Sequence, residues 1–271
     1  MRRVPEGSTI LFVHGAWVTA RCWEPFQGFF SGRGYRCLAP NWPYRDAAPA
    51  ELRRAPPEQL AGLGVRQIVD HYERAIRALP DPPVLVGHSY GGLFVQMLLD
   101  RGLGRAGVAI SPAPPRGVLA LYPTTIRSNF GVLRRWGGWR KIVPPSLDEF
   151  SYGFLNNIEP AQRRGIYEAQ AVPETGRIFF EAAFALLDRG QATRVNFANS
   201  ARAPLLITSG TRDHNVTAAM VRVNYGKYRA STARTEYREF SGRSHWVIAE
   251  PGWDDVAVQI HRWLASAVSI S

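Results

Sequence analysis

Cysteine, lysine and long apolar runs are all scarce in this chain. Its 271 residues include two cysteines, Cys22 and Cys37, too few for a disulfide framework. Neither has a Cys or His neighbour at ligand spacing, so they suggest no metal site. The expectation for both is a structural thiol. Lysine occurs only at Lys141 and Lys227. No stretch approaches the ~20 apolar residues of a membrane span. The opening residues, Met1 to Ser8, carry basic side chains without the apolar segment of a secretory leader. The expected location is therefore cytoplasmic.

Positive charge is abundant, and almost all of it is arginine. The formal net charge is +11. Such a balance invites a nucleic-acid or anionic-surface partner. The distribution points elsewhere. Arginines run along the whole chain in small doublets such as Arg53-Arg54, Arg134-Arg135 and Arg163-Arg164. No nucleic-acid motif accompanies them. The reading is a solvated, arginine-rich surface, with an acidic substrate drawn in by the field left open. No nucleic-acid partner is expected, and the oligomeric state is unreadable.

Hydrophobic residues make up 45% of the chain, ample for a large core. Apolar strand-like runs alternate with helix-like segments, which predicts an α/β fold with a mostly parallel sheet of about six strands and helices on both faces. The expected strands cover 9–13, 35–39, 83–87, 106–110, 204–209 and 235–240. Expected helices cover 23–32, 61–79, 93–101, 217–228 and 254–267. Within 61–79, Leu63, Ile68, Tyr72, Ile76 and Leu79 follow the 3.6-residue period. The interval 112–203 breaks this rhythm. It is too long for a structureless loop, and 148–155, 160–169 and 175–187 look helical. The chain is thus divided into a core of 1–111 and 204–271 and a helical cap inserted at 112–203, over the carboxyl edge of the sheet where ligands bind.

The most informative motif is Gly87-His88-Ser89-Tyr90-Gly91, between the apolar run Pro83-Val84-Leu85-Val86 and a helix-like stretch. A G-x-S-x-G pentapeptide at a strand–turn–helix junction lifts a serine hydroxyl clear of the sheet on a strained turn. Ser89 is the candidate nucleophile. A serine needs a base, and the base needs an orienting acid. Asp213 falls just past the strand ending near Ser209, and His245 lies in the loop beyond the strand ending at Phe240. Both reach the same sheet edge as Ser89. Of six histidines, His14 lies in the first loop, His88 is the variable residue of the pentapeptide, and His71 and His261 sit on helices. His214 is expected to shape the Asp213 loop. Glu250, Asp254 and Asp255 follow His245 too closely and read as helix-start charges. A tetrahedral intermediate also needs oxyanion donors. The backbone N–H of Tyr90 is one, and His14-Gly15-Ala16-Trp17 can supply the other from Ala16.

Residues 14–17, 87–91, 213 and 245 together resemble the α/β-hydrolase superfamily over essentially the whole chain. The resemblance implies Ser89 as nucleophile, Asp213 as acid, His245 as base, and Ala16 with Tyr90 as the oxyanion pair. Eight residues precede the first expected strand, so the opening hairpin of the fuller family pattern is not expected here. His14-Gly15-Ala16-Trp17 followed by Trp23 is similar to the small methylesterase and hydroxynitrile-lyase branch. The long cap is unlike that branch, so its substrate is not carried over.

A serine at position 89 disfavours the dehalogenase and epoxide-hydrolase activities that use aspartate. An acyl-enzyme route suits a carboxylic ester, thioester or lactone of a small to medium hydrophobic substrate. The alternative is a lyase or other secondary-metabolism enzyme using the triad as acid and base. No cofactor or metal is expected. Trp17 and Trp246 are candidate walls of the pocket. Among Phe130, Trp136, Trp139, Phe150, Tyr152 and Phe154 of the cap, most are expected in the core and a minority facing substrate.

Overall fold

In the computed structural model, which describes residues 7–119 and 121–268, six parallel strands form one sheet. They are β1 (Thr9–Val13), β2 (Arg36–Leu38), β3 (Val84–His88), β4 (Ala106–Ile110), β7 (Leu205–Gly210) and β8 (Thr235–Phe240), in the order β2-β1-β3-β4-β7-β8. Every pair is parallel, with β3 and β4 in register from Val84↔Ala106 to His88↔Ile110. The inner strands β3, β4 and β7 are buried throughout, which is why β4 is apolar along its length and β3 and β7 each open on an apolar run. At one edge β2 is short. At the other, β8 reads TEYREF and none of its residues is fully buried, a charged edge that resists pairing with another chain. The strand order reverses between β1 and β3, and at such a switch the loops diverge and leave a crevice.

Helices clothe the sheet. α1 (Glu24–Ser31) packs against α10 (Trp253–Ala267), with Phe26 and Phe29 meeting Trp253. α4 (Tyr90–Asp100) lies against β3 and β4 and packs on α3 (Val65–Arg77). Residues 90–99 of α4 are all buried, so it needs no polar face. α9 (Ala218–Lys227) closes on β7 and β8. The helix expected over 61–79 begins at Val65 instead. Residues 58–62 form a 3-10 turn, and Leu63 remains extended before the Gly64 cap. A short α2 (Pro49–Arg54), unpredicted, follows β2.

Between β4 and β7 the chain builds α5 (Pro123–Leu133), α6 (Leu147–Gly153), α7 (Pro160–Gln170) and α8 (Arg177–Ala183). A two-stranded antiparallel ribbon, β5 (Ile142–Val143) with β6 (Glu174–Thr175), joins them. α5 was unpredicted: it opens on Pro123, and its buried side is made of Thr125, Ser128, Gly131 and Val132, a poor apolar stripe. This inserted segment touches the loops after β1 and β3. Val172 N–H donates to Trp17 O (2.9 Å), and Tyr90 Oη donates to Ile178 O (3.3 Å).

Candidate active site

Ser89 sits between β3 and α4 with φ 57° and ψ −122°, a conformation that costs an L-residue strain of order 1–3 kcal/mol. The surroundings hold it there. Its N–H donates to Ile110 O (3.0 Å), and its carbonyl accepts from Gly92 (2.9 Å) and Ala113 (2.9 Å). Side chains beside it are excluded by backbone. A Cβ on Gly87 would lie 2.1 Å from Gly91 O, and one on Gly91 would lie 2.0 Å from Val13 O.

Asp213 and His245 meet at the same edge. Asp213 Oδ1 accepts the N–H groups of Asn215 (2.8 Å) and Val216 (2.7 Å), and Oδ2 lies 2.7 Å from His245 Nδ1. A carboxylate can only accept there, so Nδ1 carries a proton, and Nε2 is the nitrogen left to act as a base. His245 is fully buried, and Nε2 has no hydrogen-bond partner. No hydrogen bond joins it to Ser89 in this state, a common looseness in unliganded sites.

Three side chains to which the sequence reading gives no role at His245 surround its loop. His88 Nε2 donates to His245 O at 2.8 Å, and the two rings lie 4.6 Å apart. Burial, then the neighbouring His245, pushes the His88 pKa well below its ordinary value, so the ring is neutral. Glu250 is no helix-start charge. It is buried, binds the Ser244 hydroxyl and N–H, and accepts from Asn157 (3.3 Å). Phe154 meets the His245 ring in a T-shaped contact, centroids 4.8 Å apart.

The first loop is anchored as tightly. Trp42 N–H donates to His14 Nε2 (3.1 Å), so His14 Nδ1 carries the proton and donates to Gly15 O (2.8 Å). Because the peptide is planar and trans, fixing the Gly15 carbonyl fixes the Ala16 N–H in the opposite direction. Burial and then the Arg45 charge lower the His14 pKa from 6.5 to about 3, which keeps it neutral. Trp17 adopts φ 62°. Its N–H reaches Glu174 Oε2 (3.3 Å), and its indole donates to Val143 O (3.3 Å). Glu174 pairs with Arg45, and both side chains are wholly buried. Tyr90 is the first residue of α4, where an N–H has no intrahelical acceptor.

A cavity of about 470 Å³ opens above these groups. Ala16, Trp17, Ser89 and Tyr90 line it, with Phe154 and Phe179 alongside. Thr125, Asn129 and Asn215 are further polar side chains in its wall, and no charged residue among the described ones lines it. Trp17 is part of its wall. Trp246 is not: it does not line the cavity but is buried, with ring centroids 6.3 Å from both Phe150 and Phe154. Of the six insertion aromatics singled out, Phe154 alone lines the cavity, and Phe130, Trp136 and Trp139 are exposed rather than in the core. Among the described residues, no group of three or more His, Cys, Asp or Glu could hold a metal ion, and no helix is long and apolar enough to cross a membrane.

The model of the alpha/beta hydrolase family matches residues 10–258. The chain belongs to that family. Solved structures agree on the fold. A monoacylglycerol lipase from Paleococcus ferrophilus superposes with TM-score 0.68 at 20% identity, over 97% of each chain. A monoglyceride lipase from Saccharomyces cerevisiae gives 0.69 at 14% identity, over 100% of this chain and 90% of that one. A methylesterase from Arabidopsis gives 0.64 at 16% identity, over 97% and 99%. No curated protein matches the chain.

Proposed function

We propose that the protein is a serine hydrolase that cleaves a carboxylic ester, thioester or lactone of a small to medium hydrophobic substrate through an acyl-enzyme on Ser89. The observation that carries this reading is the Asp213–His245 bond, which leaves a buried, unpaired Nε2 at the sheet edge that Ser89 occupies. In the reaction, His245 Nε2 takes the Ser89 proton as Oγ attacks the carbonyl. The N–H groups of Ala16 and Tyr90 receive the developing oxyanion, each such donor being worth ~10²–10³ in rate. His245 returns the proton to the leaving alkoxide or thiolate, and water repeats the sequence to release the acid. The uncharged cavity suits a neutral acyl chain. The inserted 112–203 segment acts as the cap that shapes this cavity. The similar lipases and methylesterase are named for ester cleavage, an analogy at the level of fold.

The test is labelling with an alkyl fluorophosphonate, read by intact mass, together with burst kinetics on p-nitrophenyl butyrate. One label per chain, lost in Ser89→Ala, is expected. Equal labelling of Ser89→Ala would sink the mechanism. Turnover of a carbonyl adduct with no covalent intermediate would favour acid–base lyase chemistry instead.

A further inference from the structure

We propose that the rim of the cavity is a docking surface for an anionic lipid bilayer, from which neutral substrate enters the site. Delivery of substrate rests on the ester-hydrolase reading above; the docking does not.

The rim is apolar and faces solvent. Leu121 is 74% exposed and Leu187 80%, and with Leu119, Ile126, Phe184 and Leu186 they line the mouth of the same cavity that holds Ser89. The patch continues beyond the mouth through touching rings. Phe184 meets Phe180 (5.9 Å), Phe180 meets Trp139 (5.5 Å), and Trp139 meets Trp136 (6.1 Å), which is 89% exposed. Holding such side chains in water-facing positions gains nothing for folding. A contiguous exposed patch of this kind marks a contact surface.

Charge selects the partner. Residues 111–147 hold Arg116, Arg127, Arg134, Arg135, Arg140 and Lys141 and no Asp or Glu. Arg127, Arg134, Arg140 and Lys141 are exposed, and the ion pairs of the described residues engage other cations. Two nearby carboxylates are turned to backbone, Asp188 accepting from Gly190 and Ala192 and Glu149 from Ser146, and Glu181 pairs with Arg177. Leu, Phe and Trp side chains beside a cation-rich stretch free of acids form the surface that settles into the headgroup boundary of an anionic membrane. A second copy fits poorly, because a two-fold contact would set these cations against themselves. A protein partner seated on the rim would plug the cavity, whereas a bilayer would supply it with apolar ester.

The experiment is vesicle co-sedimentation of the full chain, with phosphatidylcholine alone and with phosphatidylcholine containing phosphatidylglycerol. Trp136→Ser/Arg134→Glu/Arg135→Glu is the test variant, since none of these residues lines the cavity. Wild type is expected to bind the phosphatidylglycerol vesicles and to be released by salt. The variant should bind roughly 20-fold or more weakly, because each cation near an anionic surface contributes about fivefold. Its hydrolysis of water-soluble p-nitrophenyl acetate should match wild type. Ser89→Ala should bind vesicles like wild type, so loss of the hydrolase reading would leave this arm intact. Equal binding by wild type and variant overturns the proposal. So does equal binding to both lipid compositions, or a dimer that the variant dissociates without any vesicle binding.

Discussion

Replacing Glu174 by Gln tests how the first loop is held. Glu174 and Arg45 are both fully buried, and Glu174 is the carboxylate that faces the Arg45 guanidinium. Removing one partner of a buried pair leaves the other charge unpaired and costs ~3–5 kcal/mol. In a chain of this size that lowers the melting temperature by roughly 6–20 °C. Glutamine keeps an oxygen for the Trp17 N–H, so the loss should fall on stability, with kcat changing less than about tenfold. Arg45→Met/Glu174→Leu should do the reverse. With both charges gone, stability should return to within ~1 kcal/mol of wild type or above it. The Trp17 N–H then has no acceptor, the Ala16 donor is loosened, and kcat should fall ~10–100-fold, short of the ~10²–10³ for losing an oxyanion donor outright. Urea denaturation and p-nitrophenyl butyrate hydrolysis measure the two effects separately. The reasoning fails if Glu174→Gln lies within ~1 kcal/mol of wild type, below the range for an orphaned buried charge. It fails too if the double variant keeps full kcat.

Gly15→Ala should abolish most ester hydrolysis while the far-ultraviolet circular dichroism stays unchanged, because its Cβ would come 2.8 Å from Ser89 Cβ; retention of more than about a tenth of wild-type kcat/KM, only ~1.4 kcal/mol of barrier, would show that the loop simply moves aside. Acid should destabilise the fold through His14. Below pH 6.5 the unfolded chain binds a proton that the native ring refuses until about pH 3, so stability present above pH 6.5 is lost on acidification at ~1.4 kcal/mol per pH unit from this group alone. Urea titrations at pH 7, 6 and 5 should give a steeper slope for wild type than for His14→Leu; parallel slopes would mean that His14 is already charged when folded.

The sheet was legible because β1, β3, β4 and β7 are buried, so burial wrote itself into the sequence as apolar runs separated by helices. The positions of Ser89, Asp213 and His245 followed from that pattern, since each lies just past the carboxyl end of a strand. What holds them was not legible. Glu174 is a lone carboxylate 157 residues from Trp17 in the chain, and no spacing connects the two. His88 passed as the variable letter of the pentapeptide, although its ring is the brace for His245. Glu250 looked like a helix-start charge because three acids cluster there; only the path of the 242–252 loop turns it inward. The rim aromatics misled for another reason. A tryptophan in sequence is most often core, and nothing local marks Trp136 as facing outward.

The two auxiliary histidines share a requirement that explains their burial. In the proposed reaction His245 becomes an imidazolium as Ser89 attacks. The His88 ring lies 4.6 Å from it. Two positive charges at that distance would repel by about 4 kcal/mol at an effective dielectric of ~20. That would slow the reaction by nearly three powers of ten. Full burial keeps His88 uncharged, and its single N–H is committed to the His245 carbonyl, so it braces the base without opposing its charge. His14 obeys the same logic beside the oxyanion loop. There the buried Arg45 charge further suppresses protonation, and the neutral ring's one N–H aims the Gly15–Ala16 peptide. Neutrality gives each ring one donor and one direction, and a charged imidazole in either place would lose that definition.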